Sequence, residues 1–349
     1  MNYIPPRRSD GTLQTRRVKQ PWPKDKLFKI LSIDGGGIKG VFPAAYLAEL
    51  EKRFLGGASI VQHFDMIAGT STGGIIALGL AHGMTGQQAL DIYTKRGETI
   101  FPTRRSFGAV RQFGRWISKP KHDQQVLKDQ LLEVFGSALI DEAKVRLSIP
   151  SFEGRHGEPY IYKTPHHPDY KRDRHEKMAH VALHTAAAPS FYASVENDGY
   201  VMVDGGLWAN NPVMIALVDA LACFDVPAEN IRILSIGTGD SLLSTASRRN
   251  SGLAGWILPD GAAPPMVFQA AVKAQSHNAI GQAGLLVGRS NLVRIDPFEG
   301  KFPIGMDDAK RAIRELPEVA RSHAESSGHR VAELFLVETV NPYVKCPAT

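Results

Sequence analysis

Short apolar runs recur along the chain at 27–33, 64–68, 145–149, 200–203 and 231–236, each rich in β-branched or bulky side chains and bounded by Gly, Asp or Pro. Runs of this length closed by turn residues predict buried strands. Between them the period changes. Leu47, Leu50 and Phe54 recur at helical spacing behind Pro43, which suits the opening turn of a helix beginning near Gly40, where a missing N–H costs nothing. Glu49, Glu51 and Lys52 of that helix are expected to face water. The stretch IIALGLA at 75–81, after Gly73, is apolar all round and predicts a helix buried against the sheet. Asn210, Asn211 and Pro212 offer a cap and an N-terminal proline for a third helix through VMIALVDALA. Strands alternating with helices predict an α/β fold with a largely parallel sheet.

Residues 1–26 break the pattern, with Pro5, Pro6, Pro21, Pro23 and several arginines; they read as an N-terminal arm, laid on the surface or disordered. From there on no internal repeat or linker interrupts the chain. Its 349 residues suffice for one large domain or two smaller ones, and 43% hydrophobic with 22% charged residues is ordinary for a globular protein.

Cys223 and Cys346 lie far apart without metal-ligand spacing, which argues against a disulfide framework and structural zinc and for a reducing compartment. The longest apolar stretch, 75–81, is far too short to span a bilayer, so a cytoplasmic protein is expected.

The net charge of +6 is unevenly spread. Between Glu98 and Asp123 stand six basic residues and no acid, among them Arg104, Arg111 and Lys121, interleaved with Phe101, Phe107, Phe113, Trp116 and Ile117. Cations beside aromatics suit an anionic surface, either lipid headgroups or a nucleotide. The plainer reading is a solvated basic loop.

The sharpest chemical signal is FDMIAGTSTGGIIALGLA at 64–81. A buried strand turns into a buried helix at Gly69-Thr70-Ser71-Thr72-Gly73, the G-x-S-x-G nucleophile elbow. Ser71 then stands at a helix N-terminus, where the dipole and unpaired N–H groups favour developing negative charge. Its hydroxyl needs a base. In VMVDGGLWANNP, 201–212, Asp204 ends a short strand and would project from the C-terminal edge of the sheet, where open α/β sheets place their sites.

The third signal is LSIDGGGIKG, 31–40. Its GGGIKG matches G-x-G-x-x-G, yet Asp34 would oppose a bound phosphate and no acid stands at 52–60 for a ribose. Consecutive glycines after a strand can instead aim a row of N–H groups at one point, as an oxyanion hole requires. Asp34 could then organise the turn by accepting backbone N–H groups.

Together DGGGIKG, GTSTG and DGG, in this order, resemble the patatin-like lipid acyl hydrolases. The resemblance covers about residues 27–240. It implies a three-layer α/β/α fold with a central, largely parallel sheet in a single domain over 27–340. It also implies a Ser-Asp dyad of Ser71 and Asp204, an oxyanion hole lined by Gly35, Gly36 and Gly37, and no metal or cofactor. The implied reaction cleaves glycerophospholipid esters to fatty acid and lysophospholipid, and the partner is then a phospholipid membrane surface, met peripherally on its inner face, rather than a nucleic-acid polymer. The segments at 159–173 and around HTAAAPSFY resemble bacterial patatin-like effectors of anti-phage signalling, which makes a cyclic dinucleotide a candidate activator.

Two rival readings stand beside this one: a Rossmann-like nucleotide enzyme using GGGIKG, and a Ser-His-Asp esterase in which His180 or His184 serves as base. His166, His167 and His175 are expected at the surface. Head group, sn-position and oligomeric state are left open.

Overall fold

The computed structural model describes residues 4–7, 16–102, 120–239, 252–257, 265–297 and 304–347. Eight strands form one sheet: β1 (Phe28–Ile33), β2 (Met66–Gly69), β3 (Arg146–Glu153), β4 (Glu158–Lys163), β5 (Val195–Asn197), β6 (Tyr200–Asp204), β7 (Ile231–Ile236) and β8 (Leu292–Ile295). The helices are α1 (Val41–Phe54), α2 (Thr72–His82), α3 (Gly86–Ile100), α4 (Gln124–Phe135), α5 (Met178–Thr185), α6 (Gly206–Ala209), α7 (Val213–Cys223), α8 (Gly252–Ile257), α9 (Met266–Val287) and α10 (Ala309–Val331).

Alternation along the central strands sorts the core onto two faces. Leu31, Ile33, Ile67, Leu234 and Ile236 join one apolar cluster with α1 to α5 and α10. Phe28, Ile30, Met66, Ile231 and Ile233 join the other, with α7 and α9. Strands apolar on both sides must be covered on both sides, which is why these runs read as continuous rather than alternating. The result is the expected three-layer α/β/α arrangement.

The sheet order is β5-β6-β3-β2-β1-β7-β8, with β4 on the other edge of β3. The segment β3-β2-β1-β7-β8 is parallel, whereas β4, β5 and β6 run antiparallel to their neighbours. The register at β3 positions the site. β2 pairs with β3 from Met66↔Arg146 to Ala68↔Ser148, and β6 takes over the same edge from Ser151↔Asp204. β6 therefore aims its last residue, Asp204, at the turn that leaves β2.

Three local expectations need correction. Glu51 is buried rather than facing water: its carboxylate accepts the N–H of Ile60 at 2.8 Å and of Gly86 at 2.6 Å, and burial pushes its pKa up to about 7. It ties the ends of two loops to α1. Helix α7 starts at Val213, and Pro212 is its cap position; the Asn211 side chain accepts the Val213 N–H at 3.0 Å. His166 and His167 are buried, because a carboxylate and a backbone carbonyl from distant segments receive them: Asp219 lies 3.0 Å from His166 Nε2 and Val18 O lies 2.9 Å from His167 Nε2.

The arm before β1 lies against α7, where Gln20 donates its N–H to Cys223 O at 2.8 Å and Trp22 meets the rings of Phe28 and Phe224. Among the described residues no helix is long and apolar enough to cross a membrane.

Candidate active site

The turn out of β2 explains its own sequence. Ser71 has φ 54 and ψ −121, a left-handed conformation that costs a non-glycine residue about 1–3 kcal/mol and persists only when packing enforces it. A Cβ on Gly69 would lie 2.1 Å from the Gly73 carbonyl oxygen, and one on Gly73 would lie 2.3 Å from that of Ile33. Both motif glycines are thus demanded by backbone approach, α2 being pressed onto β1 and onto its own entry strand. The elbow is held from a third side by Thr185 at the end of α5. Its Oγ1 accepts the Ser71 N–H at 3.0 Å and donates to Pro150 O at 2.6 Å. Nothing in the motif spacing announces Thr185; it belongs to the HTAAAPSFY block, whose local sequence carries no catalytic signal.

Asp204 reaches the same point. Its carboxylate is buried, takes the Ser71 hydroxyl as its side-chain hydrogen-bond partner and accepts the Gly206 N–H at 2.6 Å. Desolvation, only partly offset by those two donors, pushes its pKa up to about 6. No cation pairs with it among the described residues. A carboxylate so placed is ionised at neutral pH yet basic enough to take a hydroxyl proton.

The glycine loop after β1 closes the third side. Gly35, expected among the oxyanion donors, gives its N–H to Asn210 O at 3.0 Å, so that donor is already committed. Among the described residues the N–H groups of Gly36 and Gly37 have no acceptor. Gly37 has φ 60 and lines the same cleft as Ser71 and Thr72. At the start of α2, Thr72 contributes a first-turn N–H of the kind a helix leaves unpaired.

Asp34 does not organise this loop through backbone N–H groups, as the sequence suggested. Its oxygens meet the Arg294 guanidinium at 3.0 and 2.6 Å in a two-pronged pair, with Ser276 Oγ at 3.4 Å. Burial works against the Arg294 charge, but Asp34 and Asp296 more than offset it and hold its pKa above the usual guanidinium value. Arg294 lies 260 residues from Asp34, so no local pattern could have revealed it. Close packing behind the loop demands these glycines: a Cβ on Gly36 would lie 2.2 Å from Thr238 Oγ1 and one on Gly37 2.3 Å from Met306 O. The dinucleotide reading of GGGIKG gains no support from this packing.

Ser71 lines an apolar cleft walled by Ile75, Ile92, Ile100, Leu131 and Phe191. Phe101 also lines it, while Lys121 pairs with Asp307. The rest of the basic and aromatic stretch, 103–119, lies outside the described residues.

The histidine alternative finds no support in the contacts. His184 Nδ1 is 2.7 Å from Tyr162 Oη, and His180 is half-buried. Two groups of metal-type side chains do converge, His166 with Asp219 and Cys223, and Glu153 with His156 and Glu158. The first already holds a cation, Lys163 Nζ at 2.6 Å from Asp219; in the second, Glu153 accepts the N–H groups of Val201, Arg155 and His156. Neither donor set fits a metal.

A strained serine on a strand-to-helix elbow, a buried carboxylate and free glycine amides over an apolar cleft make the arrangement of a serine acyl hydrolase. The chain belongs to the patatin-like phospholipase family, whose model matches residues 31–217. It is 33% identical to the cGAMP-activated phospholipase of Vibrio cholerae over 92% of this chain and 95% of that protein. It is 38% identical to the cGAMP-activated phospholipase of Pseudomonas aeruginosa over 60% of this chain and 62% of that protein. Patatin-like protein 2 of rice, Oryza sativa, is 30% identical over 69% of each chain.

Proposed function

We propose that this protein hydrolyses the acyl esters of glycerophospholipids through a Ser71–Asp204 dyad, and that a cyclic dinucleotide switches it on. The observation that carries the chemistry is the hydrogen-bonded pair of a left-handed Ser71 and a buried, cation-free Asp204 at the mouth of an apolar cleft. Ser71 Oγ attacks the acyl carbonyl while Asp204 takes its proton. The developing oxyanion is met by the N–H groups of Gly36 and Gly37, and each such donor is worth about 3 kcal/mol in the transition state. Asp204 returns the proton to the departing glycerol oxygen, and water, deprotonated by Asp204 in turn, cleaves the acyl-enzyme. Ile75, Ile92 and Phe191 supply an apolar wall for the acyl chain.

The regulatory half rests on the relatives named for cGAMP activation, one of them matched along nearly the whole chain. The two free cysteines suit a reducing compartment. On this reading residues 27–340 act as one hydrolase domain at the cytoplasmic face of a membrane. The test is hydrolysis of phosphatidylethanolamine and phosphatidylglycerol vesicles with and without cGAMP, products identified by mass spectrometry. Fatty acid and lysophospholipid should form with wild type, faster with cGAMP, and not with Ser71→Ala. Equal rates with and without cGAMP would remove the activation, and equal rates in Ser71→Ala would remove the dyad.

A further inference from the structure

At the opposite end of the same strands lies a second, larger cavity of about 440 Å³, between the Pro21–Lys26 arm and the C-terminal stretch 337–342. Its floor is made by Lys29 of β1, Arg146 of β3, Arg232 of β7 and Asp65, which precedes β2. The three cations share an unusual bonding pattern. Lys29 Nζ donates to the carbonyls of Phe335 and Glu338, each at 2.9 Å; Arg146 Nη1 donates to Asp65 O at 3.2 Å; Arg232 Nη1 donates to Leu334 O at 2.9 Å. No carboxylate stands within ion-pair distance of any of them among the described residues. The Nε groups of Arg146 and Arg232 are buried without a partner.

Buried cations are ordinarily paired, because removing charge from water is costly unless an anion or a full set of hydrogen bonds offsets it. Here the backbone supplies part of the set, and the rings of Trp22, Phe28, Phe224 and Tyr343 pack against the Arg146 guanidinium; among the described residues the Nη2 groups of Arg146 and Arg232 have no acceptor and, unlike their Nε groups, are not buried. The floor's own acid does not fill the gap, since the Asp65 carboxylate is turned to the Lys29 backbone N–H at 2.9 Å. The other acids of the lining, Asp25, Glu333 and Glu338, are exposed at the rim, where water screens them. Guanidinium N–H groups and ammonium groups bind phosphate oxygens through charge-assisted bonds, and flat walls such as Trp22 accept a base face. At about 440 Å³ the cavity falls within the small-ligand range and has room for more than a lone phosphate.

We propose that this cavity, at the N-terminal edge of the sheet, is the binding site for a phosphodiester-linked dinucleotide anion, held by Lys29, Arg146 and Arg232. The assignment rests on the activation reading above. It places the activator and the catalytic serine at opposite ends of β1 and β2.

The test is titration calorimetry of cGAMP into the full chain, with thermal melting as the check on folding. Wild type should bind. Arg232→Gln should weaken binding about tenfold or more, and Lys26→Glu at the exposed rim several-fold. Lys95→Gln, on an exposed face elsewhere, should bind as wild type does. Inorganic phosphate at high concentration should compete with cGAMP. Wild-type affinity in both Arg232→Gln and Lys26→Glu overturns the site and leaves the activation reading standing; should Arg232→Gln fail to fold, Lys26→Glu alone decides. A wild type that binds no cGAMP overturns both, and so does one that uses Arg232 to bind phosphatidylglycerol vesicles in its place.

Discussion

Asp204 and Asp219 are both buried, both near the sheet, and opposite in character. Asp219 stands on the buried face of α7 with Lys163 Nζ at 2.6 Å, His166 Nε2 at 3.0 Å and Ser148 Oγ at 2.9 Å. Burial opposes its charge, but Lys163 and then His166 more than offset this and hold it well below the usual carboxylate range. Burial meanwhile pushes the His166 pKa down, against the pull of Asp219. Asp204 has only a hydroxyl and one backbone N–H, and burial wins. The same side chain is a structural anchor where a cation answers it and, on the proposed dyad, a base where none does. On that proposal the reactivity of the site comes from a missing partner and is purchased with stability.

The largest expected effect separates the two in activity. Asp204→Asn, like Ser71→Ala, should lower kcat/KM for vesicle hydrolysis by at least about a thousandfold, whereas Asp219→Asn, measured on the folded fraction, should stay within about tenfold. A comparable loss in both would erase the distinction.

The second effect concerns stability. Lys163→Met leaves Asp219 buried and uncompensated and should destabilise by about 3–5 kcal/mol, read as a lower denaturant midpoint at neutral pH. That loss should shrink as pH falls below about 4, since a depressed carboxylate stabilises the fold above its unfolded pKa and ceases to do so when protonated.

Asp204 should behave in the opposite sense. Its folded pKa of about 6 lies above the ordinary 3.8, so the fold gains relative stability at low pH and loses it as pH rises through 6. Asp204→Asn should thus stabilise the protein at pH 8, by up to about 3 kcal/mol, and make no difference near pH 4. A destabilised Asp204→Asn at pH 8 would contradict the missing-partner account. The smallest effect is expected at His184, where replacement by Ala should cost kcat/KM only a few-fold; a loss as deep as that of Ser71→Ala would restore a histidine base.

The sequence made Ser71, Asp204 and the glycine loop legible because each motif stands at the end of an apolar run, and a nucleophile elbow needs small residues at fixed offsets. Gly69 and Gly73 are required by contacts within the turn itself or with the adjacent strand. Partners supplied from afar left no such trace. Arg294 reaches Asp34 across the sheet, Thr185 holds the elbow from α5, and Asn210 takes the Gly35 N–H that the motif alone offered to an oxyanion. Glu51 and His166 read as surface positions for the same reason: the hydrogen-bonding partners that allow their burial come from other elements. Strands β4, β5 and β8 were missed because they are short or half-exposed, and their patterns do not rise above those of loops.

The most direct test of the dyad follows the rate at which a fluorophosphonate labels Ser71, by intact mass, from about pH 4.5 to 8 in wild type and Asp204→Asn. With Asp204 as the base, wild-type labelling should rise about tenfold per pH unit below 6 and level off above it, and Asp204→Asn should label at least about a hundredfold more slowly with no such rise. Labelling of Asp204→Asn at the wild-type rate, with the same pH dependence, would contradict it.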